Sequence, residues 1–90
     1  MKPIALITGA TSGIGEATAR ILASKYSLII TGRRADRLEK LKGELATEVL
    51  TLNFDVRDRD AVNASIEDLP SEWKEIEVLI NNAGNAHGLA

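Results

Sequence analysis

Residues 8–15, TGATSGIG, place three glycines directly after the apolar residues 4–7. Gly9, Gly13 and Gly15 allow a tight turn, a close approach of backbone N–H groups to a ligand, and close packing of a helix on a strand. The N-terminus of the following helix carries a partial positive charge, so this turn favours a pyrophosphate as its ligand. The spacing is G-x-x-x-G-x-G, and no Gly-Lys-Ser/Thr of a Walker loop follows. A plain tight connection is the alternative.

Two arginines stand where the next probable strand ends, in TGRRADR (residues 31–37). In NAD-binding units, an acidic residue about 20 positions past the glycines accepts hydrogen bonds from the ribose hydroxyls. Arg33 and Arg34 would instead bind a ribose 2′-phosphate, which a carboxylate repels. The sequence therefore favours NADP over NAD. The alternative is a pair of solvated arginines, and Asp36 is interpreted as a charge in the first turn of a helix.

Polar residues also follow the third and fourth apolar runs. The Asp55 carboxylate could accept a hydrogen bond from an adenine amino group and Val56 could pack on the ring, although Asp55 could equally cap the next helix. Residues 81–84, NNAG, lie at the carboxyl end of a strand, where open α/β sheets bind ligands. A plain turn is the alternative for NNAG.

These residues depend on alternating strands and helices. Strands are predicted at Ile4–Thr8, Ser27–Thr31, Glu48–Phe54 and Glu75–Ile80, and helices over residues 13–24, 34–47 and 57–70. Apolar residues at helical spacing predict the buried faces of the three helices: Ile14, Ala17, Ile21 and Leu22; Leu38, Leu41 and Leu45; Val62, Ile66 and Leu69. The order β-α-β-α-β-α-β predicts an α/β fold with a Rossmann-type, doubly wound parallel sheet of strand order 3-2-1-4.

That strand order leaves the fourth strand at one edge of the sheet, with Val78, Leu79 and Ile80 uncovered. Folded proteins normally hide an apolar edge, because it promotes aggregation. We therefore expect the sheet to be incomplete at this edge. Residues 1–90 are interpreted as the N-terminal portion of one dinucleotide-binding domain.

Composition excludes several classes of protein. The 90 residues carry a formal net charge of −2, which gives no basic surface for nucleic acid or anionic membrane. The absence of cysteine excludes disulfide frameworks, thiolate metal sites and cysteine nucleophiles. No apolar run is long enough for a signal peptide or a membrane span. We expect a cytoplasmic protein without a metal site and without nucleic-acid or membrane partners.

TGATSGIG, TGRR, the DV after the third strand and NNAG together resemble the short-chain dehydrogenase/reductase family over essentially the whole chain. The resemblance implies an NADP(H) site with these residues: Gly9, Thr11, Ser12, Gly13, Ile14 and Gly15 at the pyrophosphate and nearby ribose; Arg33 and Arg34 at the 2′-phosphate; Asp55 and Val56 at the adenine; Asn82, Ala83 and Gly84 at the adenosine and ribose side. Asn81 is expected to brace the sheet.

Three further stretches, TGRRADRLEKLKGEL, DVRDRDAV and LPSEW, resemble members of the family that oxidise serine, allo-threonine and other 3-hydroxy acids with NADP. The resemblance implies hydride transfer between NADP(H) and a small hydroxy acid, alcohol or carbonyl substrate, by an enzyme that is a dimer or tetramer when complete.

In this family the catalytic Ser, Tyr-x-x-x-Lys and Asn lie beyond NNAG. Tyr26 is the only tyrosine, and Ile30 stands four residues later. No catalytic residue is therefore assigned, and the 90-residue chain alone is expected to be inactive. His87 is interpreted as an incidental loop residue, and Trp73 as packing over the end of the third helix. Two other interpretations remain: a non-catalytic nucleotide-binding module, and a structural fragment that folds only with a partner or C-terminal segment.

Overall fold

Four strands and three helices alternate along residues 1–82, the part of the chain that the computed structural model describes. The elements are β1 (Ile4–Thr8), α1 (Gly13–Leu22), β2 (Ser27–Gly32), α2 (Ala35–Glu44), β3 (Val49–Asn53), α3 (Arg59–Glu67) and β4 (Ile76–Asn81). A short 3₁₀ turn, Ser71–Trp73, precedes β4. The predicted order of elements is confirmed, and each helix ends earlier than predicted.

The four strands form one parallel sheet with the order β3-β2-β1-β4, as predicted. β1 lies between β2 and β4, and both β1 and β2 are almost wholly buried. Strands covered on both faces need apolar side chains in both directions, which explains why IALI and LII show no polar alternation.

The helices divide between the two faces of the sheet. Ala19 of α1, its C-cap residue Ala23 and the leucines of α2 join the inner side chains of β1 and β2 in one buried cluster. On the opposite face, Ile4, Leu6 and Ile29 pack with Leu69 and with the half-buried Ile66 and Trp73, which confirms the packing role predicted for Trp73. The strand order reverses at β1, with α1 and α2 on one face of the sheet and α3 on the other, and a crevice opens there at the carboxyl ends of the strands.

The predicted buried face of α1 is wrong in its main residues. Ile14 and Ile21 are 74% and 73% exposed, whereas Gly15 and Ala19 are the buried residues of the helix. Small side chains let the helix axis approach the sheet closely, so the large isoleucines of the same helix point to the other side. The spacing of large hydrophobic residues predicted the wrong buried face for α1, because this criterion gives no weight to glycine and little to alanine.

β4 is an edge strand in the part of the chain that the structure describes, where β1 is its one neighbour. Its residues alternate between half-buried and exposed, and Leu79 is 64% exposed. The predicted position of this strand at the sheet edge is thus confirmed. The edge carries apolar side chains on both faces of the sheet.

The close packing of α1 predicts unequal effects of two enlargements on the same helix. Ala19→Leu is expected to lower the free energy of unfolding by about 1–3 kcal/mol, because the buried site has no room for the added atoms. Ala17→Leu is the matched control and should change it by less than about 0.5 kcal/mol, since Ala17 is exposed. Urea denaturation of both variants measures the difference, and equal losses would contradict the packing described.

Candidate functional site

The carboxyl ends of β1, β2 and β3 open into a crevice of about 410 Å³. It is lined by residues from four connections of the chain: Gly9, Thr11, Ser12, Gly32, Arg33, Arg34, Arg37, Phe54, Asp55, Val56, Arg57 and Asn82. The structure thus brings together most of the site residues predicted from the sequence. Gly13, Ile14 and Gly15 belong to the start of α1, directly beside this crevice.

The turn between β1 and α1 is built on two glycines with different physical requirements. Gly9 has a φ of 61°, a left-handed conformation that side chains disfavour. At Gly15, an added methyl group would overlap the carbonyl oxygen of Gly9 and lie 2.9 Å from the Cα of Ala10. The first turn of α1 therefore lies directly against the loop that leads into it, and the Ala10 amide ties that loop to the Thr31 carbonyl of β2 at 3.0 Å.

Ser12 closes this turn as the N-cap of α1. Its Oγ accepts a hydrogen bond from the Gly15 amide at 3.1 Å and donates one to the Gly9 carbonyl at 2.8 Å. The Ser12 hydroxyl proton is therefore used within the loop. Sequence reasoning expected Ser12 at the pyrophosphate, and the structure additionally gives it this capping role.

The amides of Gly13 and Ile14, unlike that of Gly15, have no hydrogen-bond acceptor among the described residues. They belong to the first turn, where N–H groups have no partner inside the helix, and no acceptor for either occurs within residues 1–82. A methyl group added at Gly13 would meet no protein atom within 4 Å. Two N–H groups and the positive end of the helix dipole are thus open to an anionic group.

Arg33 and Arg34 follow the carboxyl end of β2, and both are exposed at the crevice. Arg34 is the N-cap residue of α2 but makes no side-chain capping bond. Arg37 lies one turn further along α2 and lines the same crevice. Among the residues of the described chain, none forms an ion pair with these three arginines. Asp36 is the acidic residue in the first turn of α2, as predicted.

Asp55 follows β3 and is held by Arg57 two residues later. Arg57 Nη2 donates to Oδ2 at 2.8 Å, its Nε lies 3.1 and 3.2 Å from the two carboxylate oxygens, and its backbone amide donates to Oδ1 at 2.9 Å. These hydrogen bonds from Arg57, with the charge of Arg33 adding to them, lower the pKa of Asp55 to about 2. Asp55 is therefore ionised at neutral pH.

The capping alternative for Asp55 is wrong. α3 is capped by Asp58, whose Oδ1 accepts the Ala61 amide at 3.1 Å. The Asp55 side chain points instead to Arg57 and the crevice, and the neighbouring Val56 is half-buried there.

The end of β4 contributes two asparagines. Asn81 Oδ1 accepts a hydrogen bond of 2.9 Å from the Thr8 hydroxyl, so this side chain braces β4 against β1 as expected. The amide nitrogen of Asn82 is buried in the crevice wall with no hydrogen-bond partner among the described residues. Ala83, Gly84 and His87 lie outside the described residues.

Two further findings concern metal ligands and membrane-spanning helices within residues 1–82. No group of three or more His, Cys, Asp or Glu side chains is arranged to hold a metal ion within this part of the chain. None of the helices α1–α3 is long and apolar enough to cross a membrane.

Comparison with known proteins gives the family. The sequence profile of the short chain dehydrogenase family matches residues 3–89. The chain belongs to this family. The fold and the loop geometry described above are therefore those of a member of the short chain dehydrogenase family.

Individual relatives are similar over nearly the whole chain. The NADP-dependent 3-hydroxy acid dehydrogenase YdfG of Salmonella typhi is 49% identical over 87 residues, which cover 96% of this chain and 35% of the relative. The serine 3-dehydrogenase of Agrobacterium fabrum is 46% identical over an alignment of 91 positions, which covers 100% of this chain and 36% of the relative. The resemblance to 3-hydroxy acid and serine dehydrogenases drawn from the sequence is thus confirmed.

Solved structures of other proteins are similar to this chain in fold. The L-sorbose reductase of Gluconobacter frateurii, complexed with NADPH and L-sorbose, matches with a TM-score of 0.81 and 34% identity over 92% of this chain and 34% of the reductase. The chain spans about a third of the length of the two curated relatives named above.

Sequence reasoning missed Gly32, Arg37, Phe54 and Arg57 as residues of the crevice. Arg37 was detectable, because it follows Arg34 by three positions and so lies on the same side of α2. Phe54 was interpreted only as the last residue of a strand. Arg57 was placed at the start of the third predicted helix, and no sequence pattern showed that it turns back onto Asp55.

Paired substitutions test the two helix-start glycines. Gly15→Ala is expected to lower the free energy of unfolding by about 1–3 kcal/mol, since the backbone of the loop must shift. Gly13→Ala, the matched control, should leave it unchanged or raise it by up to about 1 kcal/mol, because it reduces the entropy of the unfolded chain without a clash. Thermal and urea denaturation measure both. A Gly15→Ala variant as stable as the parent would contradict the loop geometry.

Proposed function

We propose that this chain is the cofactor-binding portion of an NADP-dependent short-chain oxidoreductase. The observation that carries the proposal is the charge of the crevice: four arginines line it with one carboxylate, Asp55, which is already paired. An adenosine cofactor with an additional 2′-phosphate suits this excess of positive charge better than one without it. The NADP-dependent relatives support the same cofactor.

The residues present fit the phosphate groups of NADP(H). The pyrophosphate would lie at the start of α1, where the amides of Gly13 and Ile14 lack acceptors among residues 1–82 and no side chain blocks the approach. Ser12 and Gly15 would keep this turn in shape, and Gly9 and Thr11 would border it. The protein itself leaves room for a side chain at position 13. The glycine there would instead leave room for the bound pyrophosphate.

The 2′-phosphate would lie between Arg33 and Arg34, whose guanidinium groups make no ion pair within residues 1–82. Guanidinium groups donate several hydrogen bonds to a phosphate in a fixed geometry, and such charge-assisted bonds are stronger than neutral ones. Arg37 is placed to add positive charge at the same end of the crevice.

The adenine would lie against Val56 and Phe54, with the Asp55 carboxylate accepting from its amino group. The buried Asn82 amide nitrogen lacks an acceptor among the described residues, and a ribose hydroxyl of the cofactor would supply one. For Ala83 and Gly84, placement beside the adenosine and ribose remains a proposal from the family resemblance.

The nicotinamide of the bound cofactor would give or accept a hydride, and a small 3-hydroxy acid such as serine is the substrate class that the relatives support. The residues of this chain would bind and orient the cofactor, and none of them is assigned a proton-transfer role. The family's Ser, Tyr and Lys would come from a C-terminal portion, so the 90-residue chain alone should not catalyse the reaction.

The exposed apolar side chains of β4 and of α1 are where that portion would pack. Leu79 is exposed on one side of the sheet, and Ile14 and Ile21 are exposed on α1. Burying these side chains would stabilise the complete protein, and an added parallel strand would satisfy the polar backbone groups along β4. We further propose that the complete protein is a homo-oligomer, as the family resemblance implies.

Isothermal titration calorimetry of the 90-residue chain with NADPH and with NADH tests the cofactor. We expect NADPH to bind more tightly, and Arg33→Ala/Arg34→Ala to weaken NADPH binding by about tenfold or more while leaving NADH binding nearly unchanged. Arg59→Ala is the matched control, because Arg59 is exposed on α3 and does not line the crevice.

The outcomes of this titration distinguish the cofactor-binding portion of an oxidoreductase from a non-catalytic binding module and from a structural fragment. Equal affinity of the parent for both nucleotides would contradict the role of the arginines. Binding of neither nucleotide by a folded chain would favour a structural fragment. NADPH binding that persists with no turnover after the C-terminal portion is supplied would favour a non-catalytic binding module.

A further inference from the structure

Asp55 is the one carboxylate among the crevice-lining residues of the described chain, and it lies beside Arg33. The two residues follow neighbouring strands whose ends are joined by the Phe54 amide, which donates to the Gly32 carbonyl at 3.0 Å. Arg33 is near enough for its charge to act on Asp55, yet the two do not form an ion pair. An acid beside the phosphate-binding arginine is a potential competitor for it.

Asp55 is already paired with another arginine, Arg57. Three hydrogen-bond donors of Arg57 reach the carboxylate, and the shortest side-chain contact, from Nη2 to Oδ2, is 2.8 Å. The Arg57 side chain is 65% exposed and the Asp55 side chain 31% exposed, so the guanidinium lies on the solvent side of the carboxylate. The turn itself sets this geometry, since the Asp58 amide also donates to the Asp55 carbonyl at 2.9 Å.

We propose that Arg57 is a positioning residue for cofactor selectivity: by pairing with Asp55, it keeps this carboxylate from pairing with Arg33 and so leaves Arg33 available to the 2′-phosphate. The inference rests on the proposed function, because it assigns a determinant of selectivity to the same site. Arg57 acts through Asp55 and needs no contact with the cofactor.

The pairing leaves Asp55 able to contact the adenine. An ionised carboxylate has about four acceptor positions on its two oxygens. Oδ1 accepts the backbone amide of Arg57, Oδ2 accepts Nη2, and Nε is shared between them. Arg57 therefore fixes the orientation of the carboxylate and still leaves acceptor capacity for an amino group of the ligand.

Removing Arg57 would have a specific consequence. Asp55 would lose its partner while the guanidinium of Arg33 remained nearby, and the two charges would attract each other. NADPH would then have to displace Asp55 from Arg33, whereas NADH, which lacks the 2′-phosphate, would not. The ratio of NADPH to NADH affinity should fall, with little change in NADH affinity.

A double-substitution cycle separates this indirect action from a direct one. Calorimetry gives the affinities of NADPH and NADH for the parent chain, Arg57→Met, Asp55→Asn and the double variant. We expect Arg57→Met to lower the NADPH-to-NADH ratio about two- to fivefold, the size of a partly exposed ion-pair effect, and to have no such effect in the Asp55→Asn background. Arg57→Lys, which keeps the charge but loses the planar fork, should give a ratio between those of the parent and Arg57→Met.

An NMR titration supplies the independent readout. The carboxyl carbon of Asp55 should titrate near pH 2 in the parent and at a higher pH in Arg57→Met. Circular dichroism confirms that each variant remains folded before its affinities are compared.

The outcomes distinguish this inference from the function on which it rests. If the parent prefers NADPH and Arg57→Met keeps the full ratio, the inference fails and the proposed function stands. If Arg57→Met lowers the ratio equally in the parent and in the Asp55→Asn background, Arg57 contacts the phosphate directly and the inference is likewise overturned. If the folded parent binds neither nucleotide, the proposed function fails and the inference fails with it.

Discussion

The close contact between Gly15 and the Gly9 carbonyl is the constraint on which the rest of this structure depends. It fixes where α1 begins relative to β1, and through Ala10 and Thr31 it fixes the loop against β2. The Ser12 hydroxyl accepts the Gly15 amide and donates to the Gly9 carbonyl. In the first turn of α1, the amides left without partners among the described residues are therefore those of Gly13 and Ile14. A steric requirement inside the protein thus produces an opening for an anion at its surface.

The arrangement of charge around the crevice follows from the same topology. Parallel strands end at one side of the sheet, so the residues after β2 and β3 meet there although they are about 20 positions apart in the sequence. The arginines after β2 and the Asp55 carboxylate after β3 would attract each other if nothing intervened. The Asp55–Arg57 pair keeps the two groups separate, and this separation links the turn between β3 and α3 to the selectivity proposed for the cofactor.

Much of this fold could be predicted from the sequence, because buried parallel strands and amphipathic helices leave distinct patterns. The strand order, the edge position of β4 and the crevice residues Arg33, Arg34, Asp55 and Val56 followed from spacing and from the family resemblance. The buried face of α1 did not, since Gly15 and Ala19 pack by being small and hydrophobic patterns overlook them. The role of Arg57 depends on how a short turn folds back, which residue spacing does not encode.

The most direct test of this account is an NMR comparison of 2′,5′-ADP with 5′-AMP, both titrated into the 90-residue chain at matched saturation. We predict that both ligands shift the amide resonances of Gly13, Ile14 and Val56. Only 2′,5′-ADP should shift the side-chain resonances of Arg33 and Arg34, because only it carries the 2′-phosphate. Identical shift patterns for the two ligands, or shifts that avoid the start of α1, would contradict the account.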